Sequence, residues 1–137
     1  MRPVRLLLVD EISTVGPAQF AIICKRLQQV ARVLWRERFR TDPPEDLGPF
    51  GGVGVDLMGD FAQLPPVLAR SLLEGAPLLE GARANNRLLG LSGRRVFAGF
   101  TSVVRLRRIH RQKGVDPFKE STMRLRDAAM TMADYEL

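Results

Sequence analysis

An α/β fold with a parallel sheet is the architecture that this sequence predicts. Two short apolar runs, "VRLLLV" at 4–9 and "VGVDLMGD" at 53–60, each end in acidic residues, and an amphipathic helical pattern lies between them. Strand, helix and strand in this order form a crossover unit, in which the two strands run parallel within one sheet.

The first strand is predicted over Val4–Val9, because Pro3 and Asp10 bound a run without regular polar alternation. Such a run is typical of a central strand that is covered on both faces. The helix is predicted from Pro17, a residue that the first turn tolerates, to about Arg38. Its apolar residues recur at spacings of three and four. They are Phe20, Ile23, Cys24, Leu27, Ala31, Leu34 and Trp35.

The segments beyond the first strand and helix alternate between loops and short elements. Residues 40–52 contain three prolines and three glycines, which predicts a loop. Short helices are predicted at 68–75 and 87–100, and a strand at 102–109. A further helix is predicted from Asp116 to about Ala129, and Thr131 with Asp134 could cap a short final one. We place a domain boundary between residues 103 and 104.

The composition is that of a globular protein or a piece of one. The chain has 137 residues, of which 45% are hydrophobic and 26% charged. No apolar run approaches the roughly 18 residues that cross a bilayer, and no targeting segment is recognisable. We therefore expect a soluble protein without a membrane partner. The single cysteine, Cys24, is expected to serve packing in a reducing compartment.

The formal net charge of +6 is concentrated in one segment. Residues 81–115 carry nine cations and no acid, so the remainder of the chain has twelve cations against fifteen acids. Such a segment suits the phosphates of a nucleic acid or a nucleotide, although a solvated basic face accounts for the charge equally well. The cations are Arg83, Arg87, Arg94, Arg95, Arg105, Arg107, Arg108, Arg111 and Lys113.

Acidic residues follow both predicted strands. In a parallel sheet the carboxyl ends of the strands border the ligand crevice, and Asp10, Glu11 and Asp60 occupy that position. A buried strand that ends in Asp-Glu is typical of nucleoside triphosphatases, in which one acid holds Mg²⁺ and the other activates water. A strand that leads into a helix gives the same pattern when Asp10 or Ser13 is a cap.

Four motifs in order resemble the Pif (petite integration frequency) family of superfamily 1 DNA helicases. They are "LLLVDEIS" at 6–13, "PFGG" at 49–52, "LMGDFAQLPPV" at 57–67 and "LRRIHRQ" at 106–112. RecD-like helicases share parts of the series. The resemblance spans nearly the whole chain and implies a RecA-like P-loop NTPase fold. Residues 1–103 would be the C-terminal part of the first RecA-like lobe, and 104–137 the beginning of the second.

The resemblance also implies a role for individual residues. Asp10 would bind Mg²⁺, and Glu11 would orient or deprotonate the water that attacks ATP. Gln63 would sense the γ-phosphate, although an amide here could merely cap a turn. Arg111 would stabilise the transferred phosphoryl group and make hydrolysis depend on lobe closure, unless it belongs to a solvated basic strand. Asp60 is expected to fix the motif that carries Gln63 rather than to contact ATP.

The phosphate-binding motif GxxxxGK[ST] does not occur in the sequence. Under the resemblance it belongs upstream of Met1, and we expect the chain alone to be inactive. An intact enzyme would hydrolyse ATP with Mg²⁺ while it moves 5′ to 3′ on single-stranded DNA and unwinds duplexes. The resemblance further implies DNA junctions as partners, roles in DNA repair, recombination and telomere maintenance, and a nuclear or mitochondrial location. The alternative is a non-catalytic remnant that binds nucleic acid or a protein partner through residues 81–115.

Overall fold

The computed structural model of the chain describes residues 5–74, 84–106 and 117–135. It divides into two compact units, Met1–Thr101 and Ser102–Leu137. The predicted boundary between residues 103 and 104, as a boundary between helicase lobes, stays a prediction. The helices and strands are β1 (Leu6–Val9), α1 (Pro17–Phe39), β2 (Gly54–Leu57), α2 (Ala84–Ala98) and α3 (Pro117–Arg126), with 3-10 turns at Ile12–Thr14, Pro49–Gly52 and Met132–Tyr135.

Within the described residues the sheet consists of β1 and β2, which pair in parallel with Leu6 opposite Gly54 and Val9 opposite Leu57. The predicted parallel pairing is confirmed. The prediction that the first strand is covered on both faces is wrong, because Leu6 and Leu8 are 51% and 57% exposed. Side chains alternate between the faces of a strand, and only the face that carries Val9 packs on the core.

The core of the first unit is built around the ring of Phe20, which is fully buried. Its centroid lies 5.6 Å from that of Phe50, 6.1 Å from Phe97 and 6.2 Å from Phe100. These distances are in the favourable range for aromatic pairs. Phe20 comes from α1, Phe50 from the Pro49–Gly52 turn, Phe97 from the C-terminal end of α2, and Phe100 from the two residues that follow it. The core therefore joins these segments of the first unit.

Cys24 serves packing, as the sequence predicts, and it contacts Phe50. Both residues are buried, and the main-chain N–H of Phe50 donates to Cys24 Sγ at 3.3 Å. The buried sulfur thus satisfies a backbone donor that the tight "PFGG" turn would otherwise leave without a partner.

Helix α1 begins and ends within one residue of the prediction. The side chain of Gln19 accepts a hydrogen bond from the N–H of Gly16 at 3.0 Å, and Pro17 occupies the first turn. Arg40, in the left-handed region at φ 56°, ends the helix. The buried residues of α1 all lie in its first two turns. There α2 crosses closely, because a Cβ at Gly93 would stand 1.8 Å from the carbonyl oxygen of Pro17.

The short helix predicted at 68–75 is wrong for the part that the structure describes, residues 68–74, which form turns. Leu68 has a φ of 52°, which interrupts a right-handed helix. Side chains also replace helical hydrogen bonds: Ser71 Oγ accepts from the N–H of Leu73 at 3.3 Å, and Glu74 Oε1 accepts from the N–H of Ser71 at 3.4 Å. Residue 75 lies outside the described residues.

The strand predicted at 102–109 does not form in its described part. Residues 102–106 lie in no strand or helix, and the side chains of Val103, Val104 and Leu106 are almost fully exposed. Their β-branched composition favours a strand, but a strand needs a neighbour with which to pair, and the described residues of this unit supply none. Residues 107–109 lie outside the described residues.

The second unit is held by a buried carboxylate. Asp134 accepts hydrogen bonds from Arg124, whose Nε lies 2.9 Å from Oδ2, and from the N–H and Oγ1 of Thr131 at 2.8 and 2.9 Å. These donors stabilise the charged form, so the pKa of Asp134 lies well below its ordinary value of 3.8. The predicted cap by Thr131 and Asp134 is therefore confirmed, and it joins the last 3-10 turn to α3.

None of the helices described is both long enough and apolar enough to cross a membrane.

Candidate functional site

The segments that follow β1 and β2 are joined just beyond the sheet. The N–H of Met58 donates to the carbonyl of Val9 at 2.7 Å, and the carbonyl of Met58 accepts from the N–H of Ile12 at 2.9 Å. Met58, the residue that follows β2, thus forms hydrogen bonds with the residues on both sides of Asp10-Glu11. The carboxyl ends of the two strands meet at one edge, as expected for parallel neighbours.

The backbone turns sharply at the two acids. Glu11 lies in the left-handed region, with φ 53° and ψ 43°, and its N–H donates to Asp10 Oδ1 at 2.8 Å. The carbonyl of Glu11 accepts from Thr14 Oγ1, also at 2.8 Å. A non-glycine residue in this conformation is uncommon, and such residues cluster at functional sites. Both carboxylates are exposed at the edge of the sheet.

Gly59 brings the third motif into contact with the acidic turn. Its φ is 149°, and a Cβ at this position would lie 2.9 Å from the amide nitrogen of Ile12 and 3.4 Å from the carbonyl carbon of Glu11. The backbone at residue 59 therefore packs directly on the backbone at residues 11 and 12, which a side chain would prevent.

Asp60 shapes the turn that carries Gln63. Its Oδ1 accepts from the N–H of Ala62 at 3.1 Å, and its carbonyl accepts from the N–H of Gln63 at 3.0 Å. This is an Asx turn combined with a β-turn. It agrees with the expectation that Asp60 fixes the motif. The side chain of Gln63 is exposed.

A second close contact lies further along the third motif. A Cβ at Gly16, the residue before α1, would lie 2.8 Å from Ala69 Cβ and 3.8 Å from Pro66 Cβ, and Pro66 is buried. The stiff Pro65-Pro66 pair is thus seated against the beginning of α1. The segment 59–69 therefore contacts the segment 11–16 at two points, one at Gly59 and one at Gly16.

Of the four predicted site residues, Asp10 and Glu11 lie at the carboxyl edge of the sheet, and the backbone at 58–59, which leads to Gln63, is attached at the same edge. Asp10 and Glu11 lie in the turn after β1, and Gln63 lies in the turn that Met58 and Gly59 attach to it. The fourth, Arg111, lies outside the described residues, as does His110. The catalytic and ligand-binding roles of these residues stay predictions.

The acidic residues suit Mg²⁺ that is bound partly by water and substrate phosphates, and not Mg²⁺ that is held by protein ligands alone. Across 5–74, 84–106 and 117–135, no three His, Cys, Asp or Glu side chains lie close enough to form a metal site. A cage made only of protein ligands is therefore not present in these ranges. Mg²⁺ usually keeps several waters and takes one or two carboxylates together with substrate phosphates. The exposed Asp10, with one oxygen hydrogen-bonded to the backbone, suits that arrangement.

The sequence pattern indicated Gly59 only as a member of the third motif and Ser13 only as a possible cap, and it predicted neither the backbone contact of Gly59 nor the burial of Ser13. Gly59 is a glycine two residues after β2, which could have indicated a backbone position that excludes a side chain. Ser13 is buried, and its hydroxyl has no hydrogen-bond partner among the described residues. Nothing in the sequence distinguishes this serine from an ordinary cap.

Comparison with known proteins gives two curated relatives. The chain is 41% identical to the ATP-dependent DNA helicase PIF6 of Trypanosoma brucei brucei over 66 residues, which are 48% of the chain and 7% of that protein. It is 30% identical to the ATP-dependent DNA helicase PIF1 of Candida albicans over 135 residues, which are 92% of the chain and 12% of that protein. No family model and no solved structure matches the chain.

The second of these matches runs through almost the entire chain, and it is consistent with the order of the four motifs. The chain spans only about a tenth of the length of the two relatives. Over that span, this chain belongs to the Pif family of helicases.

Proposed function

We propose that the chain supplies, at the carboxyl edge of its parallel sheet, one part of the site at which an ATP-dependent DNA helicase binds and hydrolyses ATP. The observation that carries the proposal is the attachment of the 59–63 turn to the Asp10-Glu11 turn through Met58. This attachment supports a common site for an acid pair and an amide. The class of reaction comes from the two relatives, which are both named as ATP-dependent DNA helicases.

Each side chain at this edge has a separate task in the proposed reaction. Asp10 holds Mg²⁺, which when bound offsets negative charge on the ATP phosphates. Glu11 orients the attacking water and accepts its proton, because a carboxylate exposed at the edge is accessible to both water and substrate. Gln63 hydrogen-bonds the γ-phosphate, and its amide can donate or accept as the phosphate is bound and released.

Arg111 completes the proposed site from the second lobe. Its guanidinium stabilises charge on the transferred phosphoryl group, so hydrolysis depends on closure of the two lobes. That dependence converts hydrolysis into 5′ to 3′ movement on single-stranded DNA. Action at DNA junctions, in repair, recombination and telomere maintenance, belongs to the same proposal.

The proposal is tested by ATP hydrolysis in the presence and absence of single-stranded DNA. The 137-residue chain alone should show no hydrolysis, because it lacks the phosphate-binding loop. A longer protein that joins this chain to such a loop should show hydrolysis that DNA stimulates. In that protein, Glu11→Gln should lower kcat at least about 100-fold, since a general base contributes on the order of 100-fold or more.

Glu37→Gln is the matched control, because Glu37 is an exposed glutamate near the C-terminal end of α1, whereas the acidic turn precedes the N-terminal end of that helix. It should leave kcat unchanged. A longer protein in which Glu11→Gln retains kcat would contradict the assigned role of Glu11.

A second candidate function is nucleic-acid binding without catalysis, through the basic segment 81–115. It is favoured by the nine cations without an acid in that segment. In its described part, Arg87 and Arg95 are exposed. Arg105 pairs with Asp127 at 3.7 Å, with both side chains more than half exposed, so the pair is weak. A longer protein that binds single-stranded DNA but never hydrolyses ATP would favour this candidate.

A further inference from the structure

A strip of four polar side chains and one aromatic ring follows one face of α1 away from the candidate ATP site. Its positions are spaced by four, three, four and three residues, so they lie on the same face of the helix. At 1.5 Å per residue the strip is roughly 21 Å long. It consists of Lys25, Gln29, Arg32, Arg36 and Phe39, and we call it the α1 strip.

The cations of the α1 strip are available to bind an external anion. Lys25 is exposed. Arg32 Nη2 donates to the carbonyl oxygen of Glu45 at 2.7 Å, and a carbonyl does not neutralise a guanidinium. Arg36 pairs with Asp42 at 3.2 Å, but the two side chains are 61% and 90% exposed. A pair in that position contributes little stability, so another anion can replace its carboxylate.

An aromatic ring ends the α1 strip. Phe39 is 49% exposed, and the ring centroid of Trp35 lies 4.6 Å from that of Phe39, with the two ring planes tilted by 46°. The guanidinium of Arg38 lies 5.2 Å from the centroid of Phe39. Surfaces that bind single-stranded nucleic acid combine cations along the backbone with a supported ring on which a base stacks.

We propose that the α1 strip binds single-stranded nucleic acid, with phosphates on Lys25, Arg32 and Arg36 and a base on Phe39. This contact is separate from the basic segment 81–115 and does not require ATP hydrolysis. An anionic lipid surface is the competing partner, because Val30, Val33 and Leu34 leave apolar surface exposed on α1. We favour the nucleic acid because the row of cations ends at an aromatic ring on which a base can stack.

The chain contains a reporter for this surface, because Trp35 is its single tryptophan and touches Phe39. The 137-residue chain should be titrated with a labelled single-stranded oligothymidine. Anisotropy of the label reports all binding, including any at residues 81–115. A change in Trp35 fluorescence reports binding at the α1 strip. We expect both signals to change at the same oligonucleotide concentration.

The variant Arg32→Gln/Arg36→Gln should weaken the fluorescence-detected binding. It should also make the slope of log K against log salt shallower by about 1.4, at about 0.7 per phosphate contact on a single strand. The control Arg5→Gln/Arg70→Gln removes the same charge elsewhere in the first unit and should leave the fluorescence-detected affinity unchanged. Phe39→Leu should weaken binding by about fivefold or more, the low end of the range for stacking on a base.

Asp42→Asn distinguishes lost contacts from lost folding. It removes the carboxylate that competes for Arg36, so it should tighten binding, and unfolding cannot produce that gain. Far-UV circular dichroism should show equal helix content in all variants. The proposal is overturned if Trp35 fluorescence does not respond, if the two double variants bind alike, or if Asp42→Asn binds no more tightly. A response of Trp35 to anionic vesicles but not to the oligonucleotide also overturns it.

Discussion

Replacing Gly59 with alanine should destabilise the first unit, because the new side chain meets two separate obstacles. At φ 149° the backbone conformation is strained for any residue with a Cβ, at a cost of about 1–3 kcal/mol. The Cβ would also lie 2.9 Å from the amide nitrogen of Ile12, and overpacking of this kind costs about 1–3 kcal/mol. We expect the free energy of unfolding to fall by about 2–6 kcal/mol.

Gly48→Ala is the matched control, because Gly48 shares the strain without the contact. Its φ is 72°, and no heavy atom lies within 4 Å of the position that a Cβ would occupy. This variant should lose only the conformational part, about 1–3 kcal/mol. The difference between the two variants measures the contact between the third motif and the acidic turn.

Urea unfolding followed by Trp35 fluorescence gives both free energies. With a slope of about 2 kcal/mol/M, a loss of 3 kcal/mol lowers the midpoint by about 1.5 M. Equal midpoints for Gly59→Ala and Gly48→Ala would refute the backbone contact at Ile12. A Gly59→Ala midpoint equal to that of the unchanged chain would refute the strain as well.

Three further predictions concern the core and the second unit. Phe20→Ala should cost about 3–5 kcal/mol in urea unfolding, because Phe20 is fully buried, whereas Phe118→Ala, at an exposed ring, should change it by less than about 0.5 kcal/mol. The lowered pKa of Asp134 means that its stabilisation is complete well above pH 3.8 and is lost as the pH falls below that value towards the folded pKa. Far-UV circular dichroism between pH 5 and 3 should therefore show an acid-induced loss of helix that is smaller in Asp134→Asn; equal losses would contradict this. The buried thiol of Cys24 should react with a disulfide reagent only as urea unfolds the chain, and rapid reaction of the native chain would contradict its placement.

Helix α1 and the parallel strands could be predicted because local spacing encodes them. The apolar residues of α1 repeat along one face, and Pro17 marks its first turn, so the predicted end at Arg38 differs from the observed end by one residue. Parallel pairing followed from the strand, helix and strand order. The same local rules placed Asp10 and Glu11 at the carboxyl edge.

The features that could not be predicted depend on contacts between distant segments. The left-handed conformation of Glu11 has no signature in its neighbours, and the hydrogen bonds of Met58 to residues on both sides of it join positions about fifty residues apart. The segment 102–106 has strand composition, but pairing requires a partner that local sequence does not specify. At 68–74, the side chain of Ser71 competes with the helix for backbone donors.

The solvent-exposed leucines of β1 affect the solubility of the isolated chain. The exposed side chains of Leu6 and Leu8 form an apolar surface on a sheet whose described part has only two strands. Open strand edges beside apolar side chains favour association between molecules. Aggregation, rather than unfolding, should therefore limit the concentration at which the 137-residue chain stays in solution. Light scattering should be measured during every titration of this chain.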